Sequence, residues 1–361
     1  MTADARASTP ELHTATMNAV QLISQGSPVV ATVIPRPAPG AGEVLVRVRA
    51  AGICHSDAHY RSGRSPAHPL PLTLGHEVSG DVVATGEGVT DVAVGARVAL
   101  HYLVICGACD DCRAGREQFC STGLMLGHYT NGGWAEYIVV PAWNAVPLPD
   151  SVSYEHGAVM MCSSSTSLHA LRKGRMQAGE SVLVIGAGGL GMSAIQLAKR
   201  LGASQVIAVD RDARKLALAE QFGATPVSAA GLSVDDVVAA VRNASNGRGV
   251  DVALELVGSV DTVQVSLKAL APLGRAVVVG LNNVAVPVDS YRDIIGREAE
   301  LIGSNDHLRS ELVELMTLAA DGHLDLRNVV THTVPLDADA INGVLDALDR
   351  HEAPVRTVIV P

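Results

Sequence analysis

The chain reads as an α/β protein in two parts, a β-rich domain and a doubly wound parallel sheet, and three observations predict this. Between residues 44 and 148, short strand-like runs (VLVRVRAAGI, VSGDVVATG, ARVALHYLVI, AEYIVV) alternate with Gly, Pro and Asp turns. From about residue 163 the period switches to strand followed by helix, several times over, which predicts parallel strands joined by helical crossovers. The run GAGGLG at 186–191 stands where the first of these strands passes into its helix. Composition agrees: 361 residues suit two domains rather than one small core, and 48% apolar content with 3% aromatics implies a core of Val, Ala, Leu and Ile.

Residues 1–16 (MTADARASTPELHTAT) lack the apolar centre of a signal peptide and are expected to form a flexible extension. The first domain is expected over 17–162 and the parallel sheet over 163–304. In the latter SVLVIG, QVIAVD, DVALELV and RAVVVGL read as strands, and GMSAIQLAKRLGA, DARKLALAEQFGA and DTVQVSLKALAPLG as helices. A helix (LRSELVELMTLAADG) and mixed segments follow, so residues 305–361 are expected to rejoin the first domain. The longest hydrophobic stretch, 182–198, is broken by glycines, Ser193 and Gln196, so no membrane span is expected. A net charge of −10 speaks against nucleic acid or an anionic membrane as partner.

The glycine run predicts a dinucleotide site. Gly186, Gly188, Gly189 and Gly191, with Leu190 between them, let the backbone turn tightly and approach a pyrophosphate at the helix N-terminus. Asp210 ends the next strand, where a carboxylate accepts from the adenosine ribose hydroxyls and repels a 2′-phosphate, which favours NAD over NADP. Arg211 and Arg214 follow directly and soften that preference if they face the phosphate; otherwise they are solvated residues at a helix start.

All six cysteines suggest metal. Cys106, Cys109, Cys112 and Cys120 are spaced Cys-x2-Cys-x2-Cys-x7-Cys, and four thiolates this close can enclose one zinc with no open position, which suits a structural site. Iron also accepts four thiolates, and the spacing alone leaves that alternative standing. Cys54 (GICHSD), His76 (GHE) and Cys162 offer a second set, two sulfurs and one nitrogen, with a fourth position free for water or substrate.

GICHSD, LGHE, the four-cysteine lobe and GAGGLG, in this order, resemble the zinc-dependent medium-chain alcohol dehydrogenases, and the resemblance runs from about residue 17 to the C-terminus. It implies a GroES-like catalytic domain of discontinuous sequence, a Rossmann NAD-binding domain, and two zinc ions per chain. It also implies a proton relay through Ser56 and His59, Glu77 close to the metal, and cofactor contacts from His55, Thr166, Lys215, Val257, Gly280 and Arg356. Asp57 suits the acceptor role for the non-ligating nitrogen of His76. Cys162 opens CSSSTSLHAL where many relatives have Cys-Ala-Gly and polyol-oxidising relatives have a carboxylate, so it departs most from the family pattern. His101 or Tyr102, together with Trp134, is expected to line the substrate pocket.

Zinc polarises an alcohol oxygen and lowers its pKa, and hydride passes to the nicotinamide. The expected activity is therefore NAD-dependent interconversion of alcohols with aldehydes or ketones. Alternatives are a polyol dehydrogenase, a carbonyl or enone reductase, and a non-catalytic dinucleotide-binding protein on the same fold. The substrate is expected to be a small molecule, the protein a homodimer or homotetramer, and the compartment the reducing cytoplasm that free thiols require.

Overall fold

The computed structural model describes residues 15–361. Of the extension expected at 1–16, residues 1–14 lie outside the described residues. Thr16 already belongs to the strand Thr16–Leu22, in register with Pro35 of the antiparallel strand Val30–Pro35.

The β-rich part is built around Glu43–Ile53, the central strand of a seven-stranded sheet. Val46 and Val48 face the core while Arg47 and Arg49 point outward, the alternation a half-buried strand requires. Arg47 pairs across the strands with its register partner Asp81 at 3.1 Å, a contact of the kind that fixes register. The chain's last strand, Arg356–Val360, pairs antiparallel with this same central strand, Thr357 opposite Ile53.

The second sheet has six strands, all parallel, in the order Thr225–Ser228, Gln205–Asp210, Ser181–Ile185, Val250–Glu255, Leu270–Val278, Glu300–Gly303. This is the doubly wound order, with its crevice where the strand sequence reverses beside Ser181–Ile185. All five residues of that strand are buried. Val182 and Val184 join one apolar cluster and Leu183 and Ile185 another, because helices cover both faces.

One helix is shorter than expected. DTVQVSLKALAPLG reads as a single helix, yet the helix is Val260–Lys268 and the next strand begins at Leu270. Pro272 is the physical reason: it has no N–H and disfavours helical backbone at Ala271, which expels this segment from the helix into the sheet.

The two parts are joined by a continuous helical run over 154–173, inside which the expected 162/163 boundary falls. It consists of Tyr154–Val159, the π-turn Met160–Ser164 and Ser165–Lys173. Its first turns pack on the central strand of the β-rich part, and its last turns on Gly189–Arg200.

Candidate active site

Three separate segments bring Cys54, His76 and Cys162 together. Cys54 caps the helix His55–Ser62 at the end of the central strand. His76 follows Gly75, whose φ of 93° and close contact with the Trp134 indole leave no room for a side chain. Cys162 lies in the π-turn, a widened turn that often occurs at functional positions. The serines of CSSSTS fit that turn. Ser163, Ser165 and Ser167 donate from their hydroxyls to the carbonyls of Val159, Cys162 and Ser163 at 3.0, 3.0 and 2.7 Å, taking up acceptors in the irregular helix.

The donor set fits a metal ion. The ligand atoms of Cys54, His76, Glu77 and Cys162 lie within 4.8 Å of one another. Asp57, fully buried, binds two of the segments: its Oδ2 accepts from the Cys54 N–H at 2.8 Å and its Oδ1 lies 3.2 Å from His76 Nδ1. A carboxylate only accepts, so the imidazole proton sits on Nδ1 and Nε2 presents a lone pair. That Nε2 is buried and has no hydrogen-bond partner, an arrangement expensive for a nitrogen unless a ligand completes it. Burial disfavours the charged imidazole, but Asp57 and Cys54 outweigh it and hold the His76 pKa well above its ordinary value. A basic imidazole is a strong metal donor. The Cys162 thiol and, against burial, His76 pull the Cys54 pKa well down, while Cys54 and burial push Cys162 well up.

Glu77 and Arg356 form a buried ion pair beside the sulfurs. Burial pushes Glu77 up to about 7 against the opposing pull of Arg356. Its Oε1 has no partner. Arg356 turns its guanidinium to Glu77 while its Cδ lies where a side chain on Gly189 would go, so it touches both the metal site and the glycine turn.

A cavity of about 390 Å³ opens from these residues between the two parts. Ser56 lines it, with its Oγ 3.9 Å from Cys54 Sγ. Thr166, Leu190, Val279 and Leu281 form the side nearest the parallel sheet. Of the expected pocket residues, Tyr102 lines the cavity, whereas His101 and Trp134 do not. His101 lies behind it, its Nδ1 3.2 Å from His307 Nε2, and Trp134 is fully buried with its indole N–H donating to the Gly52 carbonyl at 3.3 Å. The Trp134 ring serves the apolar core, and burial holds His101 there as a neutral imidazole by pushing its pKa down to about 3. His59 lies off the cavity with its ring 4.9 Å from His55, which in turn is 5.7 Å from His351. Burial lowers the His59 pKa, and His55 and Arg64 act in the same direction.

The glycine turn fits a dinucleotide. Gly186 has φ 97°, and a side chain at Gly191 would strike the Gly186 carbonyl. At Gly188 an added Cβ would meet no protein atom within 4 Å, so the open space there is on the side a pyrophosphate approaches. Asp210 Oδ2 accepts from the Ala187 N–H at 2.8 Å and Oδ1 from the Asp212 N–H at 2.9 Å, which fixes the carboxylate beside the turn. Lys215 is half-buried on the next helix, Ala213–Gln221. Arg214 is engaged by Asp212 at 2.7 Å. Val257 covers Gly186, and Gly280 packs against the Gly258 backbone. Glu255, which the sequence did not single out, holds that loop by accepting from the N–H groups of Val257 and Gly258 at 2.9 and 2.8 Å.

The four-cysteine lobe is separate and half-exposed. Its sulfurs also lie within 4.8 Å of one another, and all six cysteines are free thiols. The Ala108 and Cys109 N–H groups donate to Cys106 Sγ at 3.4 and 3.3 Å, and the Cys106 N–H to Cys120 Sγ at 3.3 Å. The Cys112 and Ser121 N–H groups pull Cys109 down to about 6, while burial pushes Cys112 up to about 12.

Comparison with known proteins agrees with both halves. A model of the alcohol dehydrogenase GroES-like domain matches residues 40–150, and one of a zinc-binding dehydrogenase matches residues 189–321. The chain is similar to an NAD-dependent alcohol dehydrogenase of Sulfurisphaera tokodaii, 34% identical over 96% of this chain and 100% of that protein. Among solved structures it resembles AibC (TM-score 0.87, 36% identity, 99% of each chain). It also resembles the alcohol dehydrogenase TADH from Thermus sp. ATN1 (TM-score 0.86, 32% identity, 95% of this chain and 99% of that one).

Proposed function

Since this chain belongs to the zinc-dependent medium-chain dehydrogenase family and is an NAD-dependent oxidoreductase of alcohols and carbonyls, we propose that Cys54, His76 and Cys162 hold its catalytic zinc and that Cys106, Cys109, Cys112 and Cys120 hold a second, structural one. The observation that carries this is the unpartnered lone pair of His76 Nε2, buried among the two sulfurs and fixed by Asp57. When bound, zinc polarises the substrate oxygen and NAD accepts the hydride.

The chain supplies the rest. Three protein donors leave a fourth position open toward the cavity. Ser56 Oγ, on the cavity wall, takes the alcohol proton, and His59, one turn further along the helix His55–Ser62, passes it outward. His55, Arg356 and the Gly188–Gly189 turn serve the pyrophosphate, Thr166, Leu190, Val257 and Gly280 the nicotinamide half, and Asp210 and Lys215 the adenosine ribose. Asp210 excludes the 2′-phosphate of NADP; the engagement of Arg214 by Asp212 supports that preference, and only Arg211 opposes it. Glu77, paired with Arg356, couples the metal site to the glycine turn.

The edge strand Glu300–Gly303, with its own Leu301 exposed and exposed Tyr291 and Ile295 just before it in the chain, supports a homodimer or homotetramer. Six free cysteines favour a reducing compartment, the cytoplasm. Among the described residues no helix is long and apolar enough to cross a membrane.

NAD reduction against a panel of alcohols, before and after chelation, tests the assignment. Chelation should abolish it and added zinc restore it. Turnover that survives removal of all zinc would overturn the catalytic site.

A further inference from the structure

The cavity wall contains a carboxylate, Asp306, that alcohol oxidation does not use. It lies just beyond the parallel strand Glu300–Gly303, in left-handed backbone with φ 52°. Its Oδ1 accepts from the Tyr102 hydroxyl at 2.9 Å and its Oδ2 from the Asn305 amide at 3.1 Å. Both partners are neutral, and no Lys, Arg or His of the described residues forms an ion pair with it. The cavity wall also includes the carboxylate Glu117 and has no Lys or Arg. A half-buried carboxylate on a cavity wall without a Lys or Arg partner favours a ligand that brings a cation to it. Burial pushes the Asp306 pKa above its ordinary value, with the Tyr102 hydroxyl and the imidazoles of His76 and His169 opposing.

Tyr102 sets the spacing. Its ring stands edge-on to His76, centroids 5.5 Å apart, and its hydroxyl reaches Asp306. The phenol has little freedom, because His307 Nδ1 lies 3.3 Å from its oxygen and is itself 3.0 Å from Ser165 Oγ. Asp306 is thus separated from the metal ligands by the width of one ring. Tyr60 and His128, also on the cavity wall, stack at 4.2 Å, an aromatic surface compatible with a cation.

We propose that the substrate is an amino alcohol, or the matching amino ketone, whose ammonium group binds Asp306 while its hydroxyl-bearing carbon sits at Ser56, several carbons away on the other side of Tyr102. This rests on the catalytic-site assignment made above. The reaction is unchanged: the carbinol C–H supplies the hydride to NAD, the O–H loses its proton, and the ammonium group stays intact. Hydroxy acids and alcohol phosphates bring negative charge to a wall that already has two carboxylates, so they are disfavoured.

The test is kcat/KM of the zinc-loaded enzyme with NAD for ω-amino-2-alkanols, their isosteric 2-alkanols, the corresponding diols and the hydroxy acids. A charge-assisted hydrogen bond should favour the amino alcohol over its alkanol isostere by about ten- to a hundredfold, and Asp306→Asn should reduce that ratio to near one. Equal kcat/KM in the wild type, a preference that survives Asp306→Asn, or a diol that outperforms the amino alcohol would each overturn the proposal. Calorimetry of n-alkylammonium, n-alkanol and n-alkanoate binding to the zinc- and NAD-loaded wild type reads the same site without turnover or a variant. Ammonium should bind most tightly, and equal affinities would again overturn it. Absence of NAD reduction with every alcohol would instead strike the catalytic assignment, whatever the calorimetry shows.

Discussion

The two cysteine clusters use the same donor chemistry in opposite surroundings. Cys106, Cys109, Cys112 and Cys120 come from one short stretch, stay partly exposed and receive backbone N–H groups from their own loop. Cys54, His76 and Cys162 come from three segments and, with Glu77, sit in a buried pocket. A local cluster can close around a metal by itself, so its binding energy goes into ordering a loop. A dispersed cluster exists only once the domain has folded, and its burial removes the water that would compete with a substrate. The lobe nevertheless reaches the cavity: Glu117, Gln118 and Cys120 stand on its wall, and Glu117 Oε1 accepts from the Arg309 N–H at 2.5 Å.

The contrast breaks first at His76. His76→Ala should lower kcat/KM by roughly a thousandfold or more, because metal polarisation supplies several kcal/mol, while the circular dichroism spectrum stays that of the wild type. An unfolded variant would give the buried cluster the structural task assigned to the lobe.

Ser56→Ala comes next, with an expected fall in turnover of about 10²- to 10⁴-fold and little change in NAD affinity. Near-wild-type stopped-flow rates across the pH range would remove Ser56 from the proton route. Asp57→Asn should cost about 10- to 100-fold in zinc affinity or activity, since it disturbs both the Cys54 N–H and the His76 ring. The lobe has no equivalent support, so an equal loss of zinc from both sites would contradict the distinction.

The smallest effect lies away from either metal. Burial pushes Asp251 up, but Arg248 and the Ser181 N–H and hydroxyl outweigh it and hold it down to about 2. A carboxyl pKa depressed on folding stabilises the native state above the unfolded value of about 4. That stabilisation is lost as pH falls toward 2. Asp251→Asn should lower the Tm at neutral pH by a few degrees, as expected for about 1 kcal/mol once this partly exposed pair is discounted for solvent screening, and the difference should shrink from about pH 4 and close near pH 2. A constant gap over that range would show that Asp251 acts by packing alone.

The parallel sheet was legible because its period and glycine turn are local signals, and the lobe because its four cysteines are neighbours in sequence. Asp57 could be paired with His76 on chemistry alone, and the fold adds its second contact, to the Cys54 backbone. Contacts between distant segments were less accessible. Glu77 and Arg356 each had a stated role, yet their ion pair spans the two ends of the first domain and appears only when the last strand joins the central one. Tyr102 and His101 are adjacent in the short link between the strands Arg97–Leu100 and Leu103–Val104, where no regular alternation tells which of them faces the cavity. Asp306 and His307 had a usable signal that was passed over: they follow directly on a parallel strand, and residues beyond the carboxyl ends of such strands line the crevice. Helix 260–268 was overextended because its apolar spacing continues through a proline.

Zinc counted by elemental analysis, in the wild type and in His76→Ala and Cys109→Ser, tests the two-site account most directly. Two ions per chain are predicted in the wild type. His76→Ala should keep one zinc and a near-wild-type Tm without activity, whereas Cys109→Ser should keep the catalytic zinc while the Tm drops. A single zinc in the fully loaded wild type, or two retained in His76→Ala, would contradict it.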